Sequence, residues 1–464
     1  MGVGIVIQQG TLERVLNAAI STGGDFAEIF VEDKTISNMN MVGGVLEKAV
    51  SGRDFGIGIR ILNRNFCIYA YTNDFSEENL IRVAKAAAQG IFGQKQDIVI
   101  DLRKSLIENP HDMKIIPNSI GKSEKVEWLR RAHYAAKEND SVIEQTHMSY
   151  NESIQNVLIA NTEGILVEDI RSLNRLALMA VAAEGTDKET GIISPGYFGG
   201  LEHIKNLDIE SHAREAARSA KTILNASFAP SGKFPVIIDN AFGGVIFHEA
   251  CGHGLEATCV ADNASVFSGK LGEYVASPLV SAFDDGTILN SWGSINIDDE
   301  GMKSQRNMLI KDGVLKGYLI DKLGSRKMGM APTGSGRRES YKFSPTSRMT
   351  NTFIAAGNST PEEIISNTEY AIYAKYMDGG SVNTATGEYN FNISEGYIVR
   401  DGKIAEAIKG ATLIGDGMST LKNIDMVGNN LELGIGMCGS KSGVIPVTVG
   451  QPMIRVSELT VGGR

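Results

Sequence analysis

The chain has 464 residues and a formal net charge of −10. That length suggests two or three domains with substantial buried cores, and the acidic balance leaves no broad basic surface for direct nucleic-acid binding. No run reaches membrane-spanning length, no leading stretch reads as a signal peptide, and four scattered cysteines do not resemble a disulfide framework, so cytoplasmic residence is the simplest expectation.

In the first half, helical periodicity runs over Thr11 to Ala19, Ser76 to Ile91 and Ser123 to Ala136, with Ser76 and Ser123 placed as N-caps. Phe55 to Ala70 carries apolar, strand-like runs. Val157 to Asp169 and Leu176 to Ala183 suggest a meander divided near Glu163-Gly164, and a last helix runs from about Asp208 to Leu224. Asn225 to Gly232 then reads as a linker, which places a domain boundary between residues 225 and 226.

The second half opens on Phe234 to Asp239, whose β-branched content fits a short buried strand, with Asn240 as the N-cap of a helix beginning near Ala241. Further on, Asp312-Gly313 and Asp401-Gly402 separate apolar runs and are type I′ hairpin signals. Thr360, Pro361 and Glu363 form a helix start with a capping box. The expected fold is α+β: residues 1–225 form an N-terminal α/β-type domain with a mixed sheet. Residues 226–464 form a C-terminal, mainly antiparallel β domain carrying the helix that begins near Ala241.

Several features read more simply as structure. Gly379-Gly380 lacks the lysine of a phosphate loop and is expected to be an ordinary turn. Asp284-Asp285-Gly286 lacks the rest of a calcium loop and reads as a solvated turn. The methionines Met302, Met308, Met328, Met330 and Met349 fit either a peptide cleft or core filling, and His111, His133, His147, His203 and His212 lack ligand-like spacing.

The chemistry concentrates in His248-Glu249-Ala250-Cys251-Gly252-His253. Neutral imidazoles ligate zinc, and a carboxylate beside them can act as a base, so the segment points to a metal-dependent hydrolase. The step from His248 to His253 is five residues, which on a regular α-helix turns the second ring roughly 140° from the first. A π-type turn, wider by one residue, realigns them, and Gly252 and Gly254 tolerate such a distortion. A catalytic zinc takes three protein ligands and leaves one position open. The third ligand is left among Cys251, Glu256 and the distant Cys438, whose glycine-rich surroundings and nearby Lys441 favour a thiolate.

Together with Gly336-Arg337-Arg338-Glu339-Ser340-Tyr341, Arg348-Met349-Thr350-Asn351-Thr352 and the late Met437-Cys438-Gly439, this motif resembles the TldD/PmbA metallopeptidases. The TldD type is the closer match, because PmbA-type (TldE) members lack the histidine motif. The resemblance spans nearly the whole chain, from Asp25-Phe26-Ala27-Glu28 to Leu459-Thr460-Val461-Gly462-Gly463. It implies Zn²⁺ held by His248, His253 and Cys438, with Glu249 as the acid/base of peptide-bond hydrolysis. One departure stands out: the family's late motif reads Cys-Gly-Lys, any residue, Gly-Gln, whereas this chain has Cys438-Gly439-Ser440-Lys441-Ser442-Gly443.

Arg337, Arg338 and Tyr341 are the candidates for substrate or oxyanion contacts. The resemblance further implies unfolded polypeptides or short peptides as substrate, admitted by sheet-edge pairing, and a heterodimer with a PmbA/TldE-type chain, or a homodimer. Two rival functions are a non-catalytic zinc-containing binding protein and a modulator of DNA gyrase.

Overall fold

The computed structural model describes residues 7–95, 97–111, 113–138 and 141–463. Its first sheet is built around four long strands, β1 (Phe26–Val42), β2 (Val45–Asn63), β5 (Ile143–Asn161) and β6 (Ile165–Glu184), with the shorter β3 (Phe66–Thr72) and β4 (Arg103–Ser105) at its edges. They lie in the order β3-β2-β1-β5-β6-β4, antiparallel except for the β4–β6 pair, so the sheet is mixed as expected. The β5–β6 hairpin turns at Gly164, whose φ of +90° suits glycine, while Asn161 Oδ1 accepts from the backbone N–H groups of Glu163 and Ile165. Leu176 to Ala183 is the far end of β6 rather than a separate strand.

Strand β1 explains how this sheet is used. Its side chains alternate between faces. Ala27, Ile29 and Val31 pack with the helices Gln9–Ala19 and Glu77–Ala88, whereas Phe30 joins Val157, Ile159, Ile297 and Tyr341 on the other face. Glu28 and Glu32 share that second face and are buried, so β1 is covered on both sides. The helices Lys122–Lys137 and Ile209–Leu224 complete the helical layer over β5 and β6. Asp208 caps the latter through Ser211 N. Ser76 holds the N-cap position of Glu77–Ala88, though without a side-chain capping bond, whereas Gly121 and not Ser123 caps Lys122–Lys137.

Residues 225–232 contain a short strand, Ser227–Phe228, parallel to Lys403–Lys409. Beyond it, among the described residues, lie two larger sheets, mainly antiparallel, and a two-stranded one that pairs Gly336–Arg337 with Thr346–Ser347. Of the larger two, one runs Tyr370–Val382, Gly232–Ile238, Ile454–Gly462, Ala411–Asp416, Glu388–Arg400 and Lys403–Lys409. The other runs Arg306–Lys311, Ala282–Asp285, Asn351–Ile354, Gly443–Gln451 and Glu432–Ser440. Asp312-Gly313 and Asp401-Gly402 turn with positive φ at both residues, as type I′ requires, and Thr360 and Glu363 form both bonds of the capping box.

Two expectations are overturned. Asp284 is buried within a strand, where it accepts from Thr350 N, Thr350 Oγ1 and Thr352 Oγ1, because those donors replace the water a solvated turn would supply. Gly379-Gly380 lies inside Tyr370–Val382 at a register shift against Glu388–Arg400, a bulge and not a turn. Met349 is fully buried core, whereas Met308 is exposed. Among the described residues, no helix is long and apolar enough to cross a membrane.

Candidate metal centre

Gly232–Ile238 brings the chain into the core with Val236, Ile237 and Ile238 fully buried. Asn240 is extended at the cap position, but its side-chain amide donates to Asn430 O instead of serving as an acceptor for the first turn. The helical pitch then changes three times across residues 241–255. A 3₁₀ turn (Ala241–Gly244) passes through one α turn (Val245–Phe247) into a π turn (His248–Gly252), then tightens to 3₁₀ again (His253–Leu255). The His253 N–H bonds the carbonyl of His248, five residues back, which is the bond that defines the wider turn. The ring centroids come to 5.1 Å, nearly perpendicular. Gly252 keeps ordinary right-handed angles, so its role is clearance: a Cβ there would meet Met349 Sδ at 2.2 Å.

Cys438 arrives on Glu432–Ser440, paired antiparallel with Gly443–Gln451 so that it stands opposite Ile445. Its Sγ lies 3.3 Å from His248 Nε2 and 3.2 Å from His253 Nε2, and the three donor atoms fall within 4.8 Å of one another. Tetrahedral zinc at about 2.0–2.3 Å from each donor would hold such atoms about 3.5 Å apart, so the spacing and the N, N, S donor set fit that ion. Burial opposes charge on the Cys438 sulfur, but the two imidazoles outweigh it and bring the thiol down to about 4. Thiolate is the form that binds metal.

Glu256 is not a third donor. It is buried and lies 3.3 Å from the far nitrogen of the second histidine, Nδ1 of His253, leaving Nε2 turned to Cys438. Burial lowers the His253 pKa, but Glu256 and Cys438 override it and raise it well above the ordinary value. Arg348, fully buried, lies 4.0 Å from Glu256 and donates to the carbonyls of Cys438 and Gly443 and to Ser442 Oγ. The unusual serine in the late motif thus acts as an acceptor that ties the hairpin to this arginine. Cys251 points into the hydrophobic core, where burial raises its thiol, and takes no part in the cluster. Glu249 is the half-buried member, its Oε2 3.5 Å from His253 Nε2.

The proposed oxyanion residues are placed differently. Arg337 donates to Met349 O and Pro446 O, the latter on the hairpin that carries Cys438. Arg338 is bound to Glu28 of β1 and stacks over Phe30, and the Tyr341 hydroxyl bonds Asp54 of β2. The structure therefore brings His248, Glu249, His253 and Cys438 together, and directs Arg338 and Tyr341 to the first sheet. Arg348 is the site residue that sequence spacing did not disclose, because its contacts with Glu256 and the Cys438 hairpin join distant parts of the chain.

Two imidazoles on a widened helical turn, a distant thiolate and an adjacent carboxylate make a donor set of the metal-dependent hydrolase class. Comparison with known proteins narrows it. Family profiles described as PmbA/TldA metallopeptidase domain 1, central domain and C-terminal domain match residues 27–90, 115–224 and 231–463. A metalloprotease TldD homolog of Haemophilus influenzae is 38% identical, over 95% of this chain and 93% of its own length. The chain belongs to the PmbA/TldD metallopeptidase family, as a TldD-type member. The fold is shared with a proposed modulator of a DNA gyrase from Thermotoga maritima (TM-score 0.79, 23% identity) and with TldE from Thermococcus kodakarensis (TM-score 0.78, 18% identity). Each alignment covers 98% of this chain and 100% of the other.

Proposed function

We propose that this protein is a zinc-dependent peptidase that cleaves peptide bonds in short peptides or unfolded polypeptides, with Glu249 as acid/base. The observation that carries the reading is the convergence of His248 Nε2, His253 Nε2 and Cys438 Sγ beside a carboxylate that is still accessible. Bound there, zinc would supply Lewis-acid activation of water and of the substrate amide. Glu249 takes the proton from the attacking water and returns it to the leaving nitrogen, a transfer its position next to His253 allows. His248, His253 and Cys438 would hold the ion, and Glu256, at His253 Nδ1, keeps the opposite nitrogen turned towards Cys438.

The compartment and the partner rest on further observations. The four free thiols suit a reducing compartment, the cytoplasm. The shared fold with TldE supports pairing with a TldE-type chain, with a homodimer as the alternative. The division between residues 225 and 226 keeps the whole metal cluster on the later segment.

Glu249→Gln should lower peptide cleavage by about 10²-fold or more while leaving zinc content unchanged. Zinc content and a cleavage assay with and without chelator are the measurements. Undiminished cleavage by the variant removes Glu249 as the base, and chelator-resistant cleavage removes the metal. A gyrase modulator or a purely structural zinc protein would bind its ion and show no cleavage at all.

A further inference from the structure

A cavity of about 390 Å³ lies between the first sheet and the hairpin that carries Cys438. Alternation along Glu432–Ser440 turns Met437 and its cross-strand partner Pro446 towards this cavity, and Cys438 towards the imidazoles. The cavity thus borders the same hairpin that carries the metal cluster's sulfur, through Met437, Val444, Ile445 and Pro446.

Two arginines in its wall form no ion pair among the described residues. Arg175 of β6 is half-buried and donates from Nε to Ser194 Oγ at 2.9 Å; Arg337 is 5% exposed and reaches only the carbonyls of Met349 and Pro446. Among the described residues, neither has a carboxylate within ion-pair distance. Of the wall's own acids, Asp299 is ion-paired with Arg171 and Glu152 with Lys125, while Glu339 accepts from the Val444 N–H. Trp292 and Phe198 add apolar surface. The larger hollow beside Ile209–Leu224 differs, because its arginines Arg214 and Arg218 are already paired with Glu138 and with Glu215 and Glu395.

A half-buried arginine with no counter-charge, beside a buried one that Asp299 and Asp284 reach only at longer range, favours an anionic ligand, and the apolar wall next to them favours one with a hydrophobic flank. We propose that this cavity binds a carboxylate-bearing segment of a peptide, its carboxylate between Arg175 and Arg337 and an apolar side chain against Trp292 and Met437. The choice of a peptide rests on the peptidase reading; the demand for an anion does not.

The test is binding of short apolar peptides to the full-length protein, followed by calorimetry and by Trp292 emission. The peptides are one with a free C-terminal carboxylate, its C-terminal amide, and the amide carrying a final aspartate. The free acid should bind at least about tenfold more tightly than the amide, and Arg175→Gln should abolish that preference. Equally tight binding of the aspartyl amide supports the site and assigns the carboxylate to a side chain. Equal affinity for acid and plain amide overturns the proposal, as does a preference unchanged in a folded Arg175→Gln protein. Arg175→Lys, which keeps the charge but not the fork, should retain part of the preference. Chelator separates the two readings: it should stop cleavage and leave this binding intact, so failure of one is distinguishable from failure of the other.

Discussion

His253 is held from both ends: Nε2 faces Cys438 at 3.2 Å and Nδ1 faces the buried Glu256 at 3.3 Å. A carboxylate on the far nitrogen fixes the tautomer and orientation of a metal-binding histidine, and loss of such partners typically weakens metal binding by about 10- to 100-fold. Glu256→Gln keeps the size and removes the charge, so zinc affinity, read by competition with a chelator, should fall within that range while the protein stays folded. Wild-type affinity in the variant would remove Glu256 from this role. Glu256 was legible in the sequence as a group near the site, three residues after His253, but spacing does not reveal which ring nitrogen a carboxylate meets. The partnership of Arg348 with the Cys438 hairpin was not legible, because it joins residues about ninety positions apart.

At the scale of the element, the five-residue step between the histidines demanded a wider turn, and the π turn at His248–Gly252 supplies it. The tight turns on either side were not legible. They reflect packing: Gly244, at the foot of this helix, sits against the backbone of Gly450, where a Cβ would come within 2.5 Å of main-chain atoms. Gly450 belongs to the strand paired with the one bearing Cys438. Gly244→Ala should therefore push the histidines away from the sulfur, lowering stability by about 1–3 kcal/mol and weakening zinc binding. Gly52→Ala, where nothing lies within 4 Å, is the control and should change neither. Denaturant unfolding and the chelator competition measure both, and an unaffected Gly244→Ala protein would show that the helix and hairpin move independently.

Across the whole molecule, the two halves are joined by buried charge. Glu28 of β1 binds both Arg60 and Arg338, and Arg60 also binds Glu300. On the helical side, Arg218 bridges Glu215 on its own helix to Glu395 on Glu388–Arg400. The Arg218 hydrogen bond, the largest influence, holds the Glu215 carboxyl down at about 2, and Glu395 is also held below its ordinary value despite burial. The unfolded chain, with glutamates near 4.5, binds protons first as the pH falls. The contribution is thus complete above about pH 4.5 and is lost on the way down to about pH 2. Arg218→Ala should lower the melting temperature at pH 5 to 7 and flatten its decline between pH 5 and 2. Parallel wild-type and variant curves would count against this clamp.

The local chemistry was written in the chain: Asp-Gly hairpins, the Thr360 capping box, the turn at Glu163-Gly164, and the His248 to His253 step each depend on neighbours a few residues apart. Assembly of the site depends on distant ones. Cys251 and Cys438 were both plausible third donors by residue type, and their separation came from burial, which sent Cys251 into the core and brought Cys438 across on a β-hairpin. Likewise Asp284, polar and two positions before a glycine, read as solvated until Thr350 and Thr352 supplied its hydrogen bonds. Side-chain type and short-range spacing limit what a residue can do, whereas packing between remote strands determines its partners.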